Sequence, residues 1–245
     1  MKTIASIMLS AGLGTIIASG ASAGVMPGDD ITLAFQSSTP SENVLFSFVE
    51  GASASSANRT AALEFGRAGK VNWQDYNTIT FCIQIGEDVE YGNVIDFTFE
   101  TVESTPDDPP YAGGMGGMRA TLVRDLYSRW YNGVKNSDSS ALASAFQAMI
   151  WEITHETFAS DYDTSDLNLT TGAMQTNGLS TEAEGIFGDM KASLGGGTGD
   201  WMDSYGDNLW GLSNADYQDQ LIVVPGGAIG FAGLGLFAAR RRRQR

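Results

Sequence analysis

The chain has 245 residues, a formal net charge of −15, 14 basic side chains against 29 acidic ones, and one cysteine. Six of the basic residues lie at the two ends, Lys2 and five of residues 240–245, so the stretch between is more acidic still. Such a body lacks the basic footprint of a nucleic-acid binder and would be repelled by anionic surfaces.

At the start, Met1 and Lys2 precede an apolar run over residues 4–17, closed by Ala21, Ser22 and Ala23. A basic start, an apolar core and a small-residue cleavage site are the marks of a secretory signal peptide. Residues 1–23 are therefore expected to be removed and the remainder exported. A membrane anchor fits less well, because the core is short and interrupted by Ser10, Gly12 and Gly14.

Residues 31–35 and 44–49 alternate or run apolar and predict two strands, with Pro40 and Asn43 marking a turn over 37–42 and a loop over 51–58. Residues 78–85, β-branched and aromatic, predict the next strand. It carries Cys82, the only cysteine. A lone cysteine in an exported chain has no internal disulfide partner; it is either a small buried hydrophobe or a reactive group. Residues 86–93 suit a hairpin-like link to a strand over 94–102, after which Pro106, Pro109 and Pro110 break the β pattern.

A helical part follows. Leu122, Val123, Leu126, Tyr127 and Trp130 give one apolar face to a helix over 118–130. Over 143–155, Ala143, Phe146, Ile150 and Ile153 recur at helical offsets, with Met149 and Trp151 widening the face. Asn136, Ser137 or Asp138 is expected to cap it. Gln147 sits inside that apolar face. A buried carboxamide must find partners or cost free energy, so Gln147 is either a hydrogen-bonded core residue or a reaction partner.

The sequence Phe81-Cys82-Ile83, followed by Gln147-Ala148-Met149-Ile150-Trp151, resembles the bacterial surface thioester domains. There an aromatic-Cys-apolar strand pairs with a later Gln-x-Ala-Ile/Val-Trp motif. The resemblance implies an internal thioester with Cys82 as sulfur donor and Gln147 as acyl donor. Phe81, Phe146, Met149, Ile150, Trp151 and His155 are the candidate pocket residues around the pair. Phe146 stands where that family usually has Thr, and Met149 where a small residue is usual.

Other chemistry is weakly supported. His155 is the only histidine and invites a cysteine-hydrolase reading with Cys82, but no protease signature surrounds Cys82. An ordinary surface or capping histidine is the expectation. Asp161, Asp163 and Ser165 have the spacing of a calcium loop, yet Asp166 stands where Gly belongs and Gly172 where Glu belongs. No metal is expected, and with no phosphate loop, dinucleotide fingerprint or zinc pattern, no cofactor either. Trp201 and Trp210 are the aromatics expected to be exposed, as a sugar-stacking surface would require. Thr181 and Glu184 have capping-box spacing and open a third helix. Residues 218–224 predict a final strand. Strands, then helices, then a strand indicate an α+β fold, expected as a mainly antiparallel β-sandwich or barrel with an inserted helical subdomain.

Residues 221–239 are uncharged and are followed by Arg240, Arg241, Arg242 and Arg243. That is a marginal membrane span with a cytoplasmic basic flank. Val224, Pro225, Gly226 and Gly227 before it resemble the PEP-CTERM sorting signal of Gram-negative bacteria, with Gly-Gly in place of Glu-Pro. The resemblance implies processing by an exosortase-like sorting protease at the inner membrane; a simple C-terminal anchor shares the topology. The expected organisation is a signal peptide (1–23), a thioester-like domain (24–220) and a sorting tail (221–245). Within the domain the β part spans about 24–104, joined by 218–224, and the helical part about 115–195. The expected function is a single-use covalent binder at the cell surface or in the extracellular matrix, attaching to a protein amine or polysaccharide hydroxyl, with no turnover chemistry. The alternative is a non-covalent structural or carbohydrate-binding surface protein with Cys82 and Gln147 in the core.

Overall fold

The structure is a computed structural model that describes residues 25–49, 64–74, 78–85, 87–106, 114–160, 162–194 and 204–224. The leader, Trp201, Asp161 and the tail from Pro225 onward, with Gly226, Gly227 and Arg240 to Arg243, lie outside the described residues. Among the described residues no helix is long and apolar enough to cross a membrane.

The fold is α+β, built on a seven-stranded antiparallel sheet. Its strands are β1 (Asp30–Phe48), β2 (Glu64–Trp73), β3 (Thr78–Cys82), β4 (Val94–Glu100), β5 (Met174–Asn177), β6 (Leu209–Ser213) and β7 (Gln220–Val223). The neighbour order is β2-β3-β7-β6-β4-β1-β5, and β1 also pairs with β2. Six strands thus form a closed cycle of pairings, with β5 added at the far end of β1.

Two expectations give way here. Residues 31–35 and 44–48 belong to one 19-residue strand, with no turn between them. β1 pairs with β4 through Asp30–Ala34 and then changes partner, running beside β2 from Phe35 to Phe46. The polar middle stays extended because β2 satisfies its backbone. Pro40, which has no N–H to give a ladder, falls in the register shift between Ser38 and Ser41. The hairpin expected over 86–93 is absent too: β3 pairs with β2 and β7, while β4 pairs with β1 and β6.

Strand β2 gives no periodic signal. It contains Gly66 and Gly69, where a Cβ would run into the Phe46 ring and the Pro40 carbonyl respectively. Lys70 is buried in it, and its ammonium donates to the Lys135 and Ser137 carbonyls. The strand that closes the cycle is thus built for close approach.

The helices are α1 (Gly116–Lys135), α2 (Ser140–His155), α3 (Thr181–Ser193) and the short α4 (Ser204–Asp207). The caps differ from those expected. Ser139 caps α2 by accepting from the Leu142 N–H, and Ser180 caps α3 by accepting from the Ala183 N–H. In each case the serine directly before the first helical turn takes the role.

Two apolar cores result. One is built from strand residues and holds Leu33, Phe35, Trp73, Ile95, Phe97 and Cys82. The other lies between the sheet and the helices and holds Phe81, Ile83, Tyr127, Phe146 and Ile150. Side chains alternate along an extended chain, so Phe81 on β3 and Ile83 just after it face the helical core, and Cys82 faces the core built from strand residues. The cysteine sits at the seam between the two.

Candidate functional site

Helix α2 is buried almost all round, because it packs against β1, β2, β3, β5, α1 and α3. Ser144 ties it to β2 by donating to the Ala68 carbonyl at 2.8 Å. One turn on, Gln147 is fully buried and faces β3.

β2 runs beside β3 only as far as the Val71↔Thr80 pair. Beyond it, Cys82 has no strand on that side, and the Gln147 carboxamide fills the gap. The Cys82 N–H donates to Gln147 Oε1 at 3.0 Å, and Gln147 Nε2 donates to the Cys82 carbonyl at 2.7 Å. The amide therefore pairs edge-on with the cysteine main chain, as a neighbouring strand would. Two residues 65 positions apart meet through two hydrogen bonds.

The sulfur has other company. Gln220, the Cα partner of Cys82 on β7, donates from Nε2 to Sγ at 3.2 Å, and Sγ donates to Gln220 Oε1 at 3.5 Å. Burial pushes the Cys82 thiol up to about 12, against the partial relief of that hydrogen bond. At neutral pH Cys82 is a thiol. It also lines a cavity of about 470 Å³ whose walls include Phe35, Phe46, Trp151, Arg67 and Glu87.

Of the six residues expected around the pair, Trp151 alone lines this cavity, tilted against Phe46 with ring centroids 5.4 Å apart. Phe81, Phe146, Met149, Ile150 and His155 are core. Phe146 packs against Phe81 (4.8 Å) and Tyr127 (5.1 Å). The departure from the motif at this position thus serves an aromatic cluster behind the cysteine strand.

The expectation of a surface or capping His155 is corrected: the ring is fully buried, edge-on to Phe48, with Nδ1 3.1 Å from the Trp151 carbonyl. Burial holds its pKa down to about 4. It stands eight positions after Gln147, about 12 Å further along the helix axis. A Cys82–His155 pair is therefore not assembled. In the acidic loop Asp163 accepts from the Ser165 N–H and Asp166 from the Ala159 N–H. No cluster of three or more metal-ligating side chains occurs among the described residues. Trp210 is half-buried on β6 and meets Phe99 edge-on.

Sequence reasoning did not find Gln220, which follows Gln218 and Asp219 and does not stand out as a polar residue in an apolar run. No protein-family model, no curated protein and no solved structure matches the chain.

Proposed function

We propose that this is an exported surface or matrix protein whose Cys82 and Gln147 condense into an internal thioester for covalent attachment to an extracellular amine or hydroxyl. The observation that carries this reading is the pairing of the Gln147 carboxamide with the Cys82 main chain at 3.0 and 2.7 Å. The fold enclosing the pair is a closed antiparallel barrel with the helical subdomain inserted between β4 and β6. The leader exports the chain from a Gram-negative cytoplasm. The tail from Pro225 holds it at the inner membrane until an exosortase-like protease acts.

In this reading the bond forms by condensation. The Cys82 sulfur, once deprotonated, attacks the Gln147 carboxamide carbon; the C–N bond breaks, the proton goes to the departing nitrogen, and ammonia leaves. Negative charge develops on Oε1, where the Cys82 N–H already donates, so the cysteine supplies its own oxyanion donor. Burial, which raises the thiol pKa, slows this step. Burial then shields the acyl group from water until a nucleophile enters.

A second reading is a non-covalent surface protein in which Gln147 only caps β3. It is favoured by the sulfur bonding Gln220 rather than Gln147. Intact mass separates the two. Protein recovered from the cell surface should be lighter by one ammonia, and methylamine should add to Gln147 and free the thiol together. Cys82→Ala and Gln147→Ala should each abolish both effects. A full sequence mass with a freely titrating thiol would leave only the second reading. The same spectrum reads whether residues beyond the Pro225 region are lost, and their retention would exclude the sorting protease.

A further inference from the structure

Two carboxamides meet Cys82, and they meet different parts of it. Gln147 engages the main chain of residue 82 with both of its amide atoms. The hydrogen bonds of the sulfur go to Gln220, whose Nε2 lies 3.2 Å and Oε1 3.5 Å from Sγ. The carboxamide carbon is bonded to both of those atoms, so the acyl carbon of Gln220 lies against the sulfur. The backbone sets this contact, because Cys82 and Gln220 are Cα partners across β3 and β7. The oxygen of the same carboxamide has a second donor. Thr80 Oγ1 lies 2.9 Å from Gln220 Oε1, and Trp73 Nε1 lies 2.9 Å from Thr80 Oγ1. An indole nitrogen can only donate, so the Thr80 hydroxyl accepts there and turns its own proton to Gln220 Oε1. Trp73, Thr80 and Gln220 are all buried, so water does not compete for these groups.

We propose that Thr80, aimed by Trp73, is the oxyanion donor for condensation at Cys82, and that the carboxamide it acts on is that of Gln220. This rests on the thioester reading and replaces only its acyl donor: Gln147 holds the cysteine strand while Gln220 reacts. In the step, the Sγ–Cδ bond forms and the Cδ–Nε2 bond breaks. The thiol proton passes to Nε2, which lies 3.2 Å from the sulfur, and ammonia leaves. Negative charge develops on Oε1 in the tetrahedral intermediate, where the Thr80 hydroxyl donates. When an amine later opens the bond, a new C–N bond forms, the Sγ–C bond breaks, and the amine's proton ends on sulfur. The charge passes through the same oxygen, so Thr80 serves both steps. The amine comes in through the cavity that Cys82 lines. Trp73 touches no reacting atom and is a positioning residue.

The test is to weigh the protein recovered from the cell surface, treat it with methylamine, and place the adduct by peptide mass. The protein should be lighter by one ammonia, and the methyl group should map to residue 220 with Gln147 unmodified. An adduct on Gln147 would overturn this proposal and uphold the Gln147 thioester. A full sequence mass with no adduct would overturn both. Rates then test the donor. Thr80→Val should slow both the loss of ammonia and the opening by methylamine by roughly a hundredfold or more, as loss of one oxyanion donor does. Thr80→Ser keeps the hydroxyl and should react at close to the parent rate. Trp73→Phe keeps the hydroxyl but not its aim, and should slow both steps by a smaller factor. A folded Thr80→Val protein with the parent rates would overturn the role of Thr80. If Thr80→Val does not fold, the adduct position in the unsubstituted chain and the Trp73→Phe rates decide.

Discussion

The Gln147 carboxamide stands in for a strand, and the worth of that role can be measured apart from any covalent bond. In a Cys82→Ala background no thioester can form, yet residue 82 keeps its N–H and carbonyl. Adding Gln147→Leu there replaces the carboxamide by an apolar side chain of similar volume, so little cavity opens. The two hydrogen bonds at 3.0 and 2.7 Å are lost, and the main chain of residue 82 is left buried beneath α2 without a partner. An orphaned buried donor or acceptor costs about 1–3 kcal/mol, so the pair should cost about 2–6 kcal/mol. Urea denaturation of the Cys82→Ala and Cys82→Ala/Gln147→Leu proteins at neutral pH reads this directly. The midpoint should fall strongly with the slope unchanged. A loss under about 1 kcal/mol would refute the claim that Gln147 completes the ladder at β3.

Two further outcomes are expected. Burial holds His155 near 4 against an ordinary 6.5, so its neutral form is favoured in the fold. Its contribution is fully present above about pH 6.5 and is lost as pH falls through about 4, a loss of about 3 kcal/mol. His155→Gln should remove that component from the stability-against-pH curve, and an unchanged acid slope would contradict the assignment. At Gly172, φ is +99° and a Cβ would fall on the Glu156 carboxylate, which accepts from the Thr157 and Ala173 N–H groups. Gly172→Ala should therefore lower stability by about 2 kcal/mol or more, read as a fall in the denaturation midpoint, and a neutral result would argue against this packing of β5 on the end of α2.

Local pattern was enough to show that Cys82 lies on a strand and Gln147 on a helix, because a β-branched run and a 3.6-residue apolar period are properties of short windows. It also placed α1, α3, β4 and β7. It did not show β2, whose glycines and buried lysine make sense only once Phe46, Pro40 and the end of α1 are in place. Nor did it show that residues 30–48 form a single strand, since the reason that strand stays extended through Ser37 to Glu42 is a change of partner from β4 to β2. Burial of His155 was invisible for a similar reason: a histidine at the end of an amphipathic helix reads as exposed until elements such as β1 close over it. The two glutamines mark the division most sharply. Gln147 was legible as a polar residue among apolar neighbours, a cost that demands a partner, whereas Gln220 follows Gln218 and Asp219 and did not stand out. Which partner each takes, Gln147 the Cys82 main chain and Gln220 its sulfur, depends on contacts 65 and 138 residues apart. Only the tertiary fold brings those groups within hydrogen-bonding distance.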